Sequence, residues 1–194
     1  MKKLFAIAFM AASVLVACNP DDEAHKTTPV DSGDITKVCI NEVCGVTGYK
    51  GIELYNADSK EVLLEGVTII KNDEAAAIWT GTAEDKIPAH GYFVIKSKKE
   101  TTNIDAVANS VATASFSAQQ TLKLELKSAA GASLSVFTRG AEPWGNVIQA
   151  VEWSFGHPTD GGADWKFLDI TIGASNNTAA QHGDVTAEPA EPAV

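Results

Sequence analysis

The stretch Leu122-Lys123-Leu124-Glu125-Leu126-Lys127 carries a leucine at every second position and a charged residue between each pair. Successive side chains of an extended strand point to opposite faces, so this spelling makes one face apolar and the other charged. A strand with one face in a core is therefore expected. Small residues follow at Ser128-Ala129-Ala130-Gly131-Ala132, and then a second β-rich run at Leu134-Ser135-Val136-Phe137. Two such runs around a short turn predict a hairpin.

Outward from this hairpin the same short grammar recurs. Residues 37–43, 51–55, 67–71, 78–80, 92–96, 147–153 and 166–168 are rich in β-branched or aromatic residues and bounded by Gly, Asn, Asp or Pro. Short strands at this density predict an all-β sandwich or barrel. Only 104–114, with Ala and Val in excess, reads as a helix. No internal repeat is present in the chain.

The N-terminal end follows a different logic. Met1-Lys2-Lys3 is a positive start, 4–16 is an almost uninterrupted apolar run, and Leu15-Val16-Ala17-Cys18 closes it with small residues and a cysteine. This is the layout of a cleaved secretion signal. It resembles a bacterial lipoprotein signal, in which the cysteine thiol takes diacylglycerol and its freed amino group a further acyl chain. A membrane-spanning helix needs ~20 apolar residues, whereas this run gives way to Asn19-Pro20-Asp21-Asp22-Glu23. The expected organisation is a lipoprotein signal peptide at 1–17, a flexible acidic spacer at 18–34, a folded domain at 35–176 and a disordered tail at 177–194. Both flanking segments are too poor in large apolar residues to offset their ordering entropy. Asp21-Asp22-Glu23 resembles the acidic segment that directs some Gram-negative lipoproteins to the outer face. An outer-membrane lipoprotein anchored through Cys18 at the cell surface is expected, with the periplasmic face as the alternative.

The formal net charge is −10 at pH 7, and loss of Lys2 and Lys3 with the signal makes the remainder more acidic still. Such a chain is repelled by phosphate backbones, which argues against nucleic acid as a partner. A hydrophobic share of 45% supports one core and one domain, expected to be a monomer. Cys39 and Cys44 lie five positions apart in a strand-like run, and extended chain covers ~16 Å in that distance. A disulfide needs α-carbons within ~7 Å, so two free thiols are expected.

Little catalytic chemistry can be read from these residues. The folded region has two histidines, His90 and His157, each beside Pro or Gly in an expected surface turn. Nucleophile-elbow, zinc-helix, phosphate-loop and Cys-x-x-Cys spacings do not occur. The expectation is a protein that is not an enzyme, with no catalytic residue, metal or cofactor. Glu42, Glu53 and Asn56 fit a scaffold role better than acid and base chemistry, the glutamates binding loop N–H groups and Asn56-Ala57-Asp58-Ser59 forming a side-chain-bonded turn. Asp160-Gly161-Gly162-Ala163-Asp164 has oxygen ligands around glycine, which suits Ca²⁺, but lacks the full loop pattern, so a plain turn is expected. Among the aromatics, Trp153 and Phe155 share one face of a strand and belong to the core. Trp144, Trp165 and His157 are the candidate binding residues, for a protein or glycan ligand.

Ile40-Asn41-Glu42-Val43 followed by Ile52-Glu53-Leu54-Tyr55-Asn56 resembles the opening of the lamin tail domain. Leu64-Glu65-Gly66-Val67, the Ile87-Pro88-Ala89-His90-Gly91-Tyr92-Phe93-Val94-Ile95 turn into a strand, and Phe116 with the 122–137 hairpin are similar to its later elements. So is the ending Trp153-Ser154-Phe155-Gly156-His157, Thr159-Asp160-Gly161, Trp165 and Thr171-Ile172-Gly173-Ala174-Ser175-Asn176. The chain departs from bacterial members at Gly51, His157 and Ile172, where they commonly have Trp, Arg and Pro. The resemblance implies an immunoglobulin-like β-sandwich in a non-catalytic envelope lipoprotein that binds or scaffolds. The family's fused members imply the alternative of an accessory module positioning a secreted hydrolase, or a hydrolase itself.

Overall fold

Leu122, Leu124 and Leu126 are fully buried, and Lys123, Glu125 and Lys127 between them are only partly so. The alternation read from the sequence is thus the alternation of the folded strand. The computed structural model describes residues 32–98, 103–113, 122–139 and 152–184. Their strands are β1 (Val38–Cys44), β2 (Gly51–Asn56), β3 (Val62–Leu63), β4 (Thr68–Lys71), β5 (Ala77–Thr80), β6 (Lys86–Ile87) and β7 (Tyr92–Ser97). There follow β8 (Ser110–Thr113), β9 (Leu122–Lys127), β10 (Ser133–Arg139), β11 (Ser154–Gly156), β12 (Lys166–Leu168) and β13 (Gln181–Asp184).

These strands form a seven-stranded sheet in the order β13-β12-β11-β1-β2-β7-β8, a four-stranded sheet β10-β9-β4-β5 and the short pair β3-β6. The fold is an all-β sandwich. Ile40, Ile52, Leu54, Phe93 and Ile95 from the large sheet share one core with Ile69, Leu122, Leu124, Leu126 and Phe137 from the small one. Phe155 lies near its centre, with ring centroids 5.8 Å from Phe137 and 4.7 Å from Phe167. The sheets are also fastened at one margin, where the Ile40 N–H donates to Ser135 Oγ at 3.2 Å.

The middle of the large sheet is covered on its other face as well. Cys44, Val94, Ile104 and Ile172 make a second, smaller cluster, with Val46, Tyr49, Val107 and Ile170 packed against it. This explains why β1 and β2 are buried at all but one position each. Cys39 and Cys44 are free thiols, in line with the expectation from their spacing. Burial pushes the Cys39 thiol up to about 11 and that of Cys44 up to about 12, which favours the protonated form of both.

Three expectations need correction. The described part of 104–114, which ends at Thr113, is not a helix: it turns, and then runs as β8, parallel to β7 with Val94 opposite Ser110 and Ile95 opposite Val111. Asn109 adopts a φ of 50°, which ends any helical path, and Ser110 Oγ donates to the Val107 carbonyl at 2.7 Å. The C-terminal stretch is ordered through Asp184, since a turn at Asn176–Thr178 leads into β13, which pairs with β12. Its order comes from backbone pairing and one stacked pair, His182 on Trp153 at 4.4 Å, with His182 Nε2 also 2.8 Å from Asp169. Neither source registers in hydropathy. At the other end the fold begins before residue 35, because Gly33 N–H donates to the Glu61 carbonyl at 2.8 Å and Asp34 N–H to Asp58 at 2.7 Å. Most of 147–153 lies outside the described residues, and the strand there begins at Ser154.

The core position of Phe155 gives a direct test. Phe155→Ala should lower unfolding stability by about 3–5 kcal/mol in urea titration, through lost burial and an incompletely filled cavity. Val136→Thr, at a side chain 44% exposed on β10, should stay within about 0.5 kcal/mol of wild type.

Candidate functional site: a buried carboxylate network

A bulge in β1 creates the site. Ile40 pairs with Leu54 and Glu42 with Glu53, so Asn41 is an extra residue in the β1 strand. A bulge of this kind resets which face each later residue occupies. Ile40 and Val43, three positions apart, therefore both enter the main core. Glu42 and Glu53 stand opposite each other, and both are fully buried.

Two carboxyl groups in that position need donors aimed at them, because an unpaired buried charge is strongly unfavourable. The loop from Asp169 to Asn176 supplies them. Glu42 Oε1 accepts from the Thr171 N–H at 3.1 Å, and Glu42 Oε2 lies 2.7 Å from Thr171 Oγ1. Glu53 Oε2 accepts from the Gly173 N–H at 2.6 Å, and its Oε1 from Asn41 Nδ2 at 2.8 Å. Gly173 reaches this place at φ 90°, and a Cβ there would lie 2.4 Å from Val107 Cγ1. Here glycine is required twice, by its conformation and by the neighbour.

Asp160 ties the next turn into the same network. It accepts from Asn41 Nδ2 at 3.0 Å, Tyr92 Oη at 2.6 Å, Ser175 Oγ at 2.6 Å and the Asn176 N–H at 3.0 Å. The other end of the Asn41 amide accepts from the Gly161 N–H at 3.0 Å. Asn41 thus joins β1, β2 and the 160–161 turn with one side chain.

The electrostatics divide the carboxylates into two kinds. Burial pushes Glu42 up to about 7, with donors from Ser154 and Thr171 opposing it and the Asp160 charge adding to it. Burial, and then the Glu42 charge, raise Glu53 well above its ordinary value. At Asp160 burial acts in the same direction, but the donors from Ser175, Tyr92, Asn176 and Asn41 outweigh it and leave the carboxyl below its usual value. Asp160 is the member whose donors favour the charged form most clearly. What the arrangement does chemically is hold a loop against a sheet.

The candidate residues read from the sequence are placed unevenly. Cys18 and Trp144 lie outside the described residues. His157 is not on a turn surface: it is 5% exposed, its Nδ1 lies 2.7 Å from the Asp164 carbonyl, and its ring centroid is 4.0 Å from that of Trp165. A carbonyl only accepts, so Nδ1 carries the proton, while burial lowers the imidazole's proton affinity. Trp165 is half-buried, edge-on to Phe137 at 4.8 Å. His157 and Trp165 do come together, but against the core wall. Asn56 and the glutamates take the scaffold roles expected of them. Asn56 Nδ2 donates to the carbonyls of Lys60 at 2.8 Å and Pro88 at 3.0 Å, and its Oδ1 accepts from the Asp58 N–H at 2.8 Å. The Asp160 side chain, the first oxygen group of the glycine-rich turn, is directed to protein donors. Among the described residues no group of three or more His, Cys, Asp or Glu side chains is placed to hold a metal ion. The roles of Thr171 and Gly173 were missed, since Glu42 and Glu53 lie more than a hundred residues away from them in the chain, and that of Asp160 because its Asn41 partner lies 119 residues away.

No family model matches the chain, and no curated protein matches its sequence.

Two measurements test the network. Because Glu42 binds its proton more tightly when folded, its contribution is fully present below about 4.5 and is lost as pH rises through about 7. Urea midpoints should therefore fall between pH about 5 and about 8, and Glu42→Gln should flatten that decline. Gly173→Ala should cost clearly more than Gly131→Ala by thermal melting. Gly131 also has positive φ, at 84°, but no atom lies within 4 Å of its added Cβ, so it should lose only about 1–2 kcal/mol of backbone strain.

Proposed function

We propose that this chain is a lipid-anchored envelope protein that acts by binding or scaffolding and not by catalysis. Its sandwich we assign to the immunoglobulin-like, lamin-tail type. The observation that carries the reading is Leu15-Val16-Ala17-Cys18 at the end of a basic start and an apolar run. One acyl chain anchors a protein only marginally, whereas the several chains of a modified N-terminal cysteine give stable attachment at ~0.8 kcal/mol per buried CH₂. The polar chain between Cys18 and Ser32 supplies a reach of about 20 Å if flexible. Asp21-Asp22-Glu23 supports the outer face as its address.

The non-catalytic part of the reading draws on how the polar groups are used. Glu42, Glu53 and Asp160 spend their oxygens on loop and strand donors, and His157 bonds a backbone carbonyl. General acid and base work needs such groups directed at a substrate. The partner this leaves is a protein or a glycan, met by a monomeric domain beside the bilayer.

Metabolic labelling with a fatty acid tests the anchor. Wild type should take up label and sediment with membranes, and Cys18→Ala should do neither. Retention of label by Cys18→Ala would overturn the assignment. Protease treatment of intact cells should degrade the domain if it faces outward and spare it if it faces the periplasm.

A further inference from the structure

We propose that Glu42 is held in the fold as a neutral carboxylic acid whose Oε2–H donates to Thr171 Oγ1, and that this single proton latches the 169–176 loop onto the large sheet. The argument starts from a hydrogen count. Thr171 Oγ1 lies 2.7 Å from Glu42 Oε2 and 2.5 Å from Asn176 Oδ1. A hydroxyl has one hydrogen to donate, and both an amide oxygen and a carboxylate only accept. With Glu42 ionised, one of the two contacts would set acceptor against acceptor. Turning the Asn176 amide over does not help. Its Nδ2 donates to the Asn41 carbonyl at 3.3 Å, and the flip would put an oxygen against that carbonyl. A proton on Glu42 Oε2 satisfies both contacts of the Thr171 hydroxyl: Glu42 donates to Thr171, and Thr171 donates to Asn176. Glu42 Oε1 remains the acceptor for the Thr171 N–H.

The surroundings favour the same state. Glu42 and Glu53 occupy opposite register positions on β1 and β2 and are both fully buried. Like charges so placed oppose each other, and one of such a pair keeps its proton. The titratable groups facing them are Asp160 from the 158–164 turn, Tyr92 from β7, and Cys39 and Cys44 from β1. All four are acids, so no cation among them offsets a second ionised glutamate. Ionising Glu42 removes the donor to Thr171 and sets a new negative charge against Glu53 and Asp160. The segment that responds is the loop carrying Ile172, whose release uncovers Cys44, Val94 and Ile104. The device is a proton-operated cover over a small apolar recess.

The test uses the full chain with ¹³C-labelled glutamate side chains, read together with amide hydrogen exchange. At pH about 6 the Glu42 carboxyl carbon should report the protonated form. The protection factors of the Thr171 and Gly173 amides should fall by up to about tenfold per pH unit as pH rises from about 4.5 to about 7 and level off above it, because opening releases one proton over that window. Protection of the Ile52 and Leu54 amides in β2 should stay above that of Thr171 and Gly173 throughout the range, because those amides open only with the core. Glu42→Gln, which keeps a donor in place and cannot ionise, should abolish the pH dependence at Thr171 and reduce it at Gly173, whose N–H donates to Glu53. An ionised Glu42 at pH about 6, or an equal fall in protection in Glu42→Gln, would overturn the proposal. If Glu42→Gln fails to fold, the wild-type carboxyl titration decides on its own, since a proton found on Glu53 with Glu42 ionised also refutes the latch.

Discussion

Two carboxyl groups buried face to face within one sheet set the terms for the structure around them. They are tolerable only where donors are brought to each oxygen, and the nearest strands already spend their N–H groups on one another. The donors must therefore come from elsewhere, and here they come from Thr171 and Gly173. That requirement carries the chain after β12 across the outer face of the large sheet. It also fixes glycine at position 173, beside Val107, and places Ile172 where it completes the second cluster. The bulge at Asn41 is the other half of the same arrangement, since it turns Glu42 toward the loop while Ile40 and Val43 keep the core.

The strands were legible in the sequence wherever one face meets water. β9 is the clearest case, because only one of its faces is apolar, and its hairpin partner β10 follows at short range. β1 and β2 were recognised as strands, but their buried glutamates look like solvent-facing residues in any period-two reading. Nothing local signals that a second layer lies above them. The 104–114 segment was misread for a related reason: its Ala and Val suit a helix, and its pairing with β7 is a long-range parallel contact. β13 escaped because its order is supplied by backbone bonds to β12 and by the His182 stack, with few apolar side chains of its own.

The site was half legible. That Glu42 and Glu53 serve loop N–H groups, and that Asn56 closes a turn, follows from how short polar side chains behave near strand ends. Which loop they serve does not, because the partners are set by topology. His157 shows the limit most plainly, since a histidine beside glycine and proline reads as surface until Trp165 and the Asp164 carbonyl are seen to enclose it.

The way the chain enters the sandwich governs how the sandwich meets mechanical load. Ser32, Gly33 and Asp34 are bound to the 58–63 segment, and the next strand, β1, lies between β11 and β2 inside the large sheet. A pull applied on the N-terminal side of Ser32 runs along β1 and across the ladder bonds on both its sides. Those bonds then resist in shear, sharing the force, and do not unzip one at a time. The short clasps at Gly33 and Asp34 stand ahead of that ladder on the path of such a pull.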